Sequence, residues 1–471
     1  MIKNEFIMNY DIDKLSPADY NPRKINEEGF EALKGSLKRF GIVKPLILNG
    51  KNNTLTAGHQ RTKASKAIGI KEVPVVIIKK DIPMIDEVRF NLFHNSIETN
   101  TSKVIIKDAA KIPFGYSFVS WDRIKPIEYK NPEVLKEISK LCIKYGEWGN
   151  VIIDEYGNVV QNSEYANAIH NLKYGLLVYK MKNDDVKDYL EICNGYEFGE
   201  YNYEALGIKA YNQLYCQMNR VVGKVSKSVL YEKVVLSEVK KSDRIVDFGA
   251  GKCGYIKKLK EKGYKAHAYE PHFKKDGKAK IDIKTVVKMI KDIEKDVKRN
   301  GLYDKVILDS VINSITSLEF EDMVLTTCNA LLKEDGTFYL ATRNIGSVEA
   351  KNNKERKTSK DKVRNIEFLD KNGFSATFRN GVWTMQRFHS EESLTKLLKK
   401  YFENVERVVS KAKTSSALQM KCSKPKNLPL EDYKKSLNIE FNMEYPGNYR
   451  HNQHEKVVEN IIEELKKRGC K

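Results

Sequence analysis

The stretch RIVDFGAGKCGYIKKLKEKGYKAHAYEPHF, residues 244–273, decides the fold of the C-terminal half of the chain. Arg244–Phe248 is rich in strand-forming residues, and the glycine turn Gly249–Gly254 leads into a basic, helix-forming run. Glycines at such a turn let the backbone approach a ligand, and the helix N-terminus offers free amides to polar ligand atoms. Glu270 ends the next predicted strand, about 20 residues past the turn, where a carboxylate can accept both hydroxyls of a ribose. The stretch therefore predicts a nucleoside site.

Three later segments extend this pattern. Residues 303–310 (YDKVILDS) predict a strand, residues 331–342 (LLKEDGTFYLAT) a helix end, a turn and a strand, and residues 388–422 a last helix and two strands. From about residue 220 to 423 the chain resembles class I S-adenosylmethionine-dependent methyltransferases, with residues 303–310 as the fourth strand of that family. A dinucleotide-binding Rossmann domain is the alternative, but GAGKCG is a poor match to GxGxxG at its last position.

The methyltransferase resemblance implies S-adenosyl-L-methionine as the cofactor and a role for four residues of the quoted stretch. Asp247 is expected near the amino group of the methionine part. Gly249 and Gly251 are expected beneath the cofactor, and Glu270 on the ribose. Cys253 departs from the family pattern, because it stands where the third glycine is expected.

No familiar tetrapeptide specifies the acceptor of the methyl group. Amino-methylating DNA enzymes usually carry (D/N/S)PP(Y/F/W), cytosine C5 enzymes need a Pro-Cys nucleophile, and the sequence contains neither. Asp309, Ser310 and Asn313 stand at the end of the strand predicted over residues 303–310, at the edge where ligands enter an open α/β sheet. We expect Asp309 or Asn313 to hold the nucleophilic atom in line with the methyl group, since proximity and orientation dominate this reaction. The alternative is that both residues only shape the loop or cap a helix.

A second glycine turn lies within the first hundred residues. Apolar spacing predicts a helix that Gly41 ends, a strand over Pro45–Leu48 and a hairpin-like turn at Asn49-Gly50. The segment TAGHQRTKASKAIG, residues 56–69, then places a glycine loop before a basic helix. Free backbone amides and the helix dipole together favour an anion at such a position.

Over about the first hundred residues the chain resembles the ParB/sulfiredoxin-like superfamily, which includes partition proteins, nucleases and small kinases. The resemblance rests on NPR (21–23), FGIVKPLIL (40–48), AGHQR (57–61) and VPVVII (73–78). It implies that a nucleotide phosphate binds to the loop residues Gly58, His59, Gln60 and Arg61. This loop lacks the cysteine of the redox branch, and residues 93–98 differ from the acidic segment of the partition branch. The alternative for His59 and Arg61 is a solvated loop with a capping role.

An internal repeat appears when the chain is compared with itself at an offset of 105 residues. Residues 30–41 then align with residues 135–146. Gly58 faces Ser163 and Arg61 faces Ala166, so the second copy lacks the basic loop. We predict a duplicated ParB-like fold, although any succession of helix, strand, turn and helix would align in a similar way.

The predicted fold class is α/β, with a C-terminal Rossmann-like class I methyltransferase sheet preceded by two small α+β ParB-like domains, the second degenerate. The predicted domains are a ParB/sulfiredoxin-like domain (1–100), a degenerate ParB-like domain (101–200), the methyltransferase domain (201–423) and a tail with an amphipathic helix (424–471).

Composition bears on partners and compartment. The 471 residues include 83 Lys and Arg against 63 Asp and Glu, a formal net charge of +20. This excess favours a polyanion such as DNA, although a lysine-rich proteome produces the same excess. The basic segment Lys351–Arg364 stands where methyltransferases place substrate lids and would make DNA affinity fall with salt. The seven cysteines form no CxxC, and no residues have the spacing of metal ligands, so we expect no metal. The sequence also lacks a long apolar run, so we expect a cytoplasmic protein without a membrane contact. It does not indicate an oligomeric state.

The combined interpretation is an S-adenosylmethionine-dependent methyltransferase that acts on DNA or in a DNA-modification pathway, behind a module that binds DNA or a nucleotide. A narrower likeness, in GKVSKSVL (223–230), DFGAGKCG (247–254) and DSVINSI (309–315), is to methyltransferases associated with DNA phosphorothioation. The two resemblances together imply a phage or mobile-element protein, since ParB-like and methyltransferase modules often occur together there. One alternative is a ParB-like binding protein, nuclease or NTPase whose methyltransferase fold senses cofactor or serves as a scaffold. Another is a methyltransferase of a small molecule or nucleotide.

Overall fold

The structure is a computed structural model that describes residues 4–18, 23–25, 27–83, 86–87, 90, 104–127, 133–196, 200–201, 227–275, 281–348, 369, 372–379 and 382–471. Residues 21–22, residues 93–98 and the basic segment Lys351–Arg364 lie outside the described residues. The chain divides into two compact units. Unit 1 comprises residues 1–206 with 350–372, and unit 2 comprises residues 207–349 with 373–471.

The first half of unit 1 is built around a mixed sheet. Its elements are β1 (Glu5–Asp11), β2 (Ser16–Pro17), β3 (Arg23–Lys24), α1 (Glu27–Phe40), β4 (Leu46–Asn49), β5 (Thr54–Ala57), α2 (His59–Ala67) and β6 (Glu72–Ile78). The strand order is β1-β6-β4-β5-β2, and β4 is buried along its whole length. Leu33 and Leu37 of α1 pack in one core with Leu46 and Leu48 of β4, as the apolar spacing of this helix predicts. Gly41 follows α1 with a φ of +70°, which suits a glycine that ends a helix.

The second half of unit 1 contains a further mixed sheet. Its elements are β7 (Ile105–Ile106), β8 (Gly115–Val119), β9 (Ile124–Lys125), α3 (Glu133–Tyr145), β10 (Asn150–Ile153), β11 (Val159–Gln161), α4 (Ser163–Leu172), β12 (Leu176–Lys180), α5 (Asn183–Tyr196) and β13 (Glu200–Tyr201). The strand order is β11-β10-β12-β8, while β7 pairs with β9 and β13 with β3.

The two halves of unit 1 share a topology. In the first half β4 runs parallel to β6 and antiparallel to β5, and β1 is antiparallel to β6. In the second half β10 runs parallel to β12 and antiparallel to β11, and β8 is antiparallel to β12. The helices α2 and α4 also follow equivalent strands, so each half brings a helix N-terminus to the same edge of its sheet.

The register of the predicted repeat is wrong by one residue at this helix start. Ile47 of β4 pairs with Ala57, whereas the equivalent Ile152 of β10 pairs with Gln161, so the second hairpin is one residue shorter. The residue before α2 is Gly58, and the residue before α4 is Asn162, both in the left-handed conformation. Gly58 therefore corresponds to Asn162 rather than to Ser163, and by the same shift Arg61 corresponds to Tyr165 rather than to Ala166.

Unit 2 contains the predicted α/β sheet. Its elements are β14 (Arg244–Phe248), α6 (Gly254–Glu261), β15 (Lys265–Tyr269), α7 (Ile283–Asn300), β16 (Tyr303–Asp309), α8 (Leu318–Ala330), β17 (Leu332–Arg343), β18 (Phe374–Arg379), β19 (Val382–Arg387), α9 (Glu391–Leu398), β20 (Phe402–Val408), β21 (Ala417–Pro425), α10 (Leu430–Phe441) and α11 (Glu455–Lys467). A π-helical turn, Tyr231–Val235, and one α-helical turn, Leu236–Glu238, precede β14.

The sheet of unit 2 has the strand order β15-β14-β16-β17-β21-β20. The strands β15, β14, β16 and β17 run parallel to one another, whereas β21 is antiparallel to both β17 and β20. The carboxyl ends of β14, β15 and β16 therefore meet at one edge, where an open α/β sheet binds its ligands. In the described part of the chain β16 is the third strand of this sheet in chain order, where the family pattern predicts the fourth.

The last helix, α11, belongs to the core of unit 2. Its residues Val457, Val458, Ile461 and Leu465 are buried in the same cluster as Ile290 of α7. The predicted amphipathic helix therefore docks within unit 2, and its apolar face is covered there.

Candidate functional site

The turn after β14 is fixed to the end of β15. Its backbone has positive φ at Gly249 (+82°), Gly251 (+55°) and Cys253 (+57°), and Cys253 directly precedes α6. The amides of Gly249 and Ala250 donate to the Tyr269 carbonyl at 2.7 and 3.0 Å. These bonds set the turn at the carboxyl edge of the sheet.

The two glycines predicted beneath the cofactor have different surroundings. A Cβ on Gly249 would lie 2.3 Å from Cγ2 of Val311, so glycine there permits close packing against the loop after β16. A Cβ on Gly251 would meet no atom within 4 Å. Gly251 therefore borders open space, as a glycine that lets a ligand approach the backbone should.

Asp247 is a buried carboxyl group at the end of β14. It is 5% exposed, and its Oδ2 accepts a hydrogen bond from the Tyr231 hydroxyl at 2.7 Å. Burial raises the pKa of Asp247 to about 7, and the charges of Asp309 and Glu270 act in the same direction, against the Tyr231 hydrogen bond. This carboxyl therefore titrates near neutral pH.

Glu270 follows β15 and is bound by backbone amides. Its Oε2 accepts from the amide of Gly251 at 2.8 Å, and its Oε1 accepts from the amide of His272 at 2.9 Å. Burial raises the pKa of Glu270 to about 7, although both amides favour the charged form. Each oxygen retains a second acceptor position for a ligand hydroxyl.

Asp309 ends β16 and is the third carboxyl at this edge. It accepts a hydrogen bond from the Ser310 hydroxyl at 3.0 Å and another from the side chain of Ser228, and burial raises its pKa. Ser310 has a φ of +62°, a left-handed conformation that costs a residue other than glycine about 1 kcal/mol. Such strain is common at functional sites.

The three carboxyl groups lack a basic partner within the described residues. The pKa values of Asp247, Glu270 and Asp309 respond to burial, to hydroxyl and amide donors and, at Asp247, to the other two acids; no Lys or Arg contributes. Buried acids without a cation favour a positively charged ligand. These carboxyl groups can accept hydrogen bonds from the ammonium group and the ribose hydroxyls of S-adenosylmethionine, and their charge complements its sulfonium.

Two tyrosines that the sequence analysis missed line this cluster. The Tyr231 and Tyr255 rings stack with centroids 4.1 Å apart and planes 5° apart. The Tyr255 hydroxyl accepts from the amide of Ser228 at 2.8 Å and donates to Glu232 at 2.8 Å, which ties the π-helical turn to α6. No local pattern points to Tyr231, because the turn that carries it meets Asp247 only through tertiary packing.

Asn313 lies in the short 3-10 turn Ile312–Ser314 after β16. It is 3% exposed, and its Oδ1 has no hydrogen-bond partner among the described residues. Ser317 caps α8 by accepting from the Phe320 amide at 3.1 Å, so Asn313 does not cap that helix. A buried acceptor without a partner suits a ligand that donates a hydrogen.

In unit 1 the four predicted phosphate-binding residues lie together at the start of α2. Gly58 has a φ of +105°, and a Cβ there would lie 2.4 Å from Cδ2 of Leu46. His59 is 7% exposed, and neither ring nitrogen has a hydrogen-bond partner within the described ranges. Gln60 and Arg61 are half-buried in the first turn of α2, where Arg61 donates to the Lys44 carbonyl.

The electrostatics of this loop are opposite to those of the carboxyl cluster. Burial lowers the pKa of His59 to about 4, and the charges of Lys63 and Arg61 lower it further. The loop therefore combines a helix N-terminus with two cations and a buried neutral imidazole. An anion is the ligand that this combination favours.

The equivalent position in the second half is filled by protein. The Tyr165 hydroxyl accepts from the amides of Trp148 and Gly149 at 3.0 and 2.9 Å. A Cβ on Gly149 would lie 3.3 Å from the Tyr165 ring. Tyr165 thus occupies the place that corresponds to Arg61, and the second half presents no basic loop there.

Neither a metal site nor a membrane helix appears in the described part of the chain. No group of three or more His, Cys, Asp or Glu side chains within it is arranged to bind a metal ion. None of its helices is both long and apolar enough to span a bilayer.

Two family models match the chain. Residues 1–96 match the ParB N-terminal domain, and residues 227–406 match a methyltransferase domain. S-adenosylmethionine is the cofactor that the second match supports. The two matched regions contain the loop at Gly58 and the carboxyl cluster, respectively.

Among curated proteins, the chain is similar to the probable chromosome-partitioning protein ParB of Campylobacter jejuni, with 40% identity over 82 residues, 17% of this chain and 29% of that protein. It is also similar to the ParB-like nuclease domain-containing protein YnaK of Escherichia coli, with 31% identity over 67 residues, 14% of this chain and 76% of that protein. The chain thus spans less than a third of the partition protein but most of YnaK.

Solved structures are similar over each region. One is the ParB of Caulobacter crescentus complexed with CTP-gamma-S, at 18% identity and a TM-score of 0.18, covering 23% of this chain and 59% of that one. Another is the 1,6-didemethyltoxoflavin-N1-methyltransferase of Burkholderia thailandensis with bound S-adenosylhomocysteine, at 14% identity and a TM-score of 0.26, covering 42% of this chain and 76% of that one.

The match to YnaK covers 76% of that protein at 31% identity, and the model of the ParB N-terminal domain matches residues 1–96 of this chain. Through residues 1–96 the chain belongs to the ParB-like family, and it carries a methyltransferase domain over residues 227–406.

Proposed function

We propose that the protein is an S-adenosylmethionine-dependent methyltransferase that acts on DNA or in a DNA-modification pathway, and that its ParB-like module binds a nucleotide. The observation that carries the proposal is a cluster of three carboxyl groups, Asp247 and Glu270 buried and Asp309 half-buried, at the carboxyl ends of β14, β15 and β16 and without a basic partner among the described residues. A cationic cofactor is the complement of that cluster within a matched methyltransferase domain.

In this proposal Asp247, Gly251 and Glu270 hold the cofactor. Glu270 accepts hydrogen bonds from the ribose, since backbone amides already fix both of its oxygens. Asp247 faces the ammonium group, and Tyr231 orients it. Gly249 supports the turn by its packing on Val311. S-adenosylmethionine supplies an electrophilic methyl group on a sulfonium, and the protein orients the acceptor toward it.

Asp309 and Asn313 are the proposed contacts of the acceptor. Asn313 offers a buried Oδ1 without a partner in the described residues, which suits an amine or hydroxyl donor. Burial raises the pKa of Asp309, so its carboxylate is a stronger base than that of an exposed aspartate. It is therefore suited to accept a proton from an acceptor that becomes cationic on methylation.

DNA as the substrate class rests on charge. The formal net charge is +20, and the basic segment Lys351–Arg364 concentrates cations in the sequence between β17 and α9. Phosphate contacts of this kind release counterions, so a DNA substrate predicts turnover that falls steeply with salt. The proposed nucleotide site at Gly58, His59, Gln60 and Arg61 would bind phosphate by the same electrostatic logic.

Transfer of a radiolabelled methyl group from S-adenosylmethionine to duplex DNA tests the proposal. We expect label in DNA from the wild-type chain, at least tenfold less from Asn313→Ala, and wild-type transfer from Asp335→Asn, which changes an exposed acid in unit 2. Label in a small molecule that DNA does not compete with would favour the alternative substrate class instead.

The alternative in which the methyltransferase fold only senses cofactor makes a different prediction. Substitution of Asp247 and Glu270 would then leave function intact, whereas Arg61→Ala would abolish it. Our proposal requires the opposite result for methyl transfer.

A further inference from the structure

The segment Phe40–Lys44, between α1 and β4, is held by the second half of unit 1. The Tyr179 hydroxyl donates to the Phe40 carbonyl at 3.0 Å, and the Tyr116 hydroxyl donates to the Ile42 carbonyl at 2.6 Å. The Asn150 side-chain amide donates to the Val43 carbonyl at 2.9 Å. Three side chains of β8, β10 and β12 thus bind consecutive or nearly consecutive carbonyls of this segment.

The same segment contacts the proposed nucleotide loop. The next carbonyl, that of Lys44, accepts a hydrogen bond from Arg61. The charge of Arg61 also acts on the Tyr116 hydroxyl, opposing the burial that raises its pKa. Arg61 is therefore positioned by a segment whose other carbonyls are bound from the second half.

The interface between the halves is reciprocal. Arg39 forms ion pairs with Asp185 and Asp188 of the second half at 3.1 and 2.6 Å, and its repeat equivalent Lys144 forms one with Asp86 of the first half at 2.6 Å. This exchange of equivalent contacts is the mark of an isologous pair.

Aromatic and amide contacts follow the same exchange. The Phe40 and Tyr189 rings meet with centroids 6.0 Å apart, and the equivalent Tyr145 meets Phe90 at 5.3 Å. The Asn4 side-chain amide donates to the Tyr145 carbonyl at 2.8 Å, as Tyr179 does to Phe40. Phe40 and Tyr145, at the ends of the equivalent helices α1 and α3, thus both contact the opposite half through their rings and their carbonyls.

We propose that the second half of unit 1 is a built-in partner subunit that positions the nucleotide loop of the first half. The inference rests on the proposed nucleotide binding. Tyr116 and Tyr179 are positioning residues, since they act through the segment Phe40–Lys44 and Arg61. The pair has one binding loop, because Tyr165 fills the equivalent place in the second half.

Calorimetry on the full chain with CTP, ATP, GTP and UTP as probes tests this inference. Removal of both hydroxyls in Tyr116→Phe/Tyr179→Phe should weaken nucleotide binding on the order of tenfold, because the segment that positions Arg61 then loses two of its hydrogen bonds. Tyr156→Phe, which changes a tyrosine of the second half that is 75% exposed, is the matched control and should bind as wild type does. S-adenosylmethionine affinity should stay unchanged in all three proteins.

A double-mutant cycle distinguishes an effect of the two tyrosines on the position of Arg61 from a general loss of stability in unit 1. In an Arg61→Ala background the two tyrosine changes should have no further effect on nucleotide affinity, because their route to the ligand runs through Arg61. If Arg61→Ala abolishes nucleotide binding but the two tyrosine changes leave it at the wild-type level, the inference is overturned and the proposed nucleotide function stands. No binding of any probe to wild type would overturn the proposed nucleotide function, and the inference with it.

Hydrogen exchange of the wild-type chain decides the matter if the tyrosine variants unfold. The inference predicts that nucleotide slows amide exchange in residues 40–44 and also in β8 and β12. Protection confined to residues 56–69 would contradict it.

Discussion

Unit 1 and unit 2 each begin a helix directly after a residue in the left-handed conformation, Gly58 in the first and Cys253 in the second. The surroundings of the two turns differ in charge. His59, Arg61 and Lys63 surround the first, whereas buried carboxyl groups surround the second. A helix N-terminus alone favours anions in both places. If the proposed ligands are right, the side chains around such a turn decide whether it suits a phosphate or a cationic nucleoside.

The largest effect that we expect from this difference is that a substitution in one site weakens the binding of its own ligand and leaves the binding of the other ligand unchanged. Glu270→Ala should weaken S-adenosylmethionine binding by about 10- to 100-fold, and Arg61→Ala should weaken nucleotide binding by about as much, since a hydrogen bond to a charged group is worth about 1.5–3 kcal/mol. Each variant serves as the control for the other when both ligands are titrated calorimetrically. Loss of both ligands in either variant would remove the distinction between the sites.

The pH dependence of the two sites should be opposite. Asp247 and Glu270 have pKa values of about 7 without ligand, and a cationic ligand lowers them, so S-adenosylmethionine affinity is full above pH 7 and falls as the pH drops. The expected loss is about tenfold per pH unit for each group. His59 has a pKa of about 4, which a phosphate raises, so nucleotide affinity should increase as the pH falls toward 4.

Binding measured from pH 5 to 8.5 checks these slopes. Asp247→Asn should make the S-adenosylmethionine profile less steep, because only Glu270 then titrates, and His59→Asn should flatten the nucleotide profile. Profiles that slope in the same direction would show that the charge contrast does not govern binding.

Substitution of the glycines in the two turns should affect stability and ligand binding differently. Gly251→Ala adds a methyl group into open space at a φ of +55°, so we expect weaker cofactor binding and a stability cost of about 1 to 2 kcal/mol. Gly58→Ala places its methyl group 2.4 Å from Leu46, so the larger loss of stability belongs to this variant. Thermal unfolding and ligand titration of both proteins measure the contrast, and an equal loss of stability would contradict it.

The smallest effect is expected for Tyr231→Phe. The change removes the hydrogen bond to Asp247 and keeps the stack on Tyr255, so cofactor affinity should fall only a few-fold, for a bond worth about 1 kcal/mol. The hydrogen bond favours the charged carboxyl, so its loss should also move the S-adenosylmethionine pH profile upward. An unchanged profile would show that Tyr231 does not tune Asp247.

Local patterns were enough to predict the glycine turns and the strands around them. Arg244–Phe248 forms a strand with the predicted bounds, and Glu270 follows the next strand as its spacing indicates. The contact between Gly249 and Val311 could not be predicted, because it joins loops that meet only after the sheet has formed. The sequence also could not show that Gly58 corresponds to Asn162, one residue before the position that the repeat predicted. A hairpin can lose a residue while the helices on either side of it keep their apolar pattern.

The burial of Asp247, Glu270 and His59 also could not be predicted from the sequence. A polar residue at a strand end can face solvent or a closed cluster, and only the packing of neighbouring elements decides which. The shifted pKa values of Asp247 and Glu270 follow from that packing rather than from the residue types. The sequence could therefore suggest the ligand contacts but not their titration.

The most direct test of the account is calorimetric titration of S-adenosylmethionine into the full chain at pH 8, with and without duplex DNA, for wild type and Asp247→Asn. We predict one site per chain in wild type, tighter binding with DNA present, and affinity at least tenfold lower in Asp247→Asn. No binding to wild type, or equal binding to both proteins, would contradict the account.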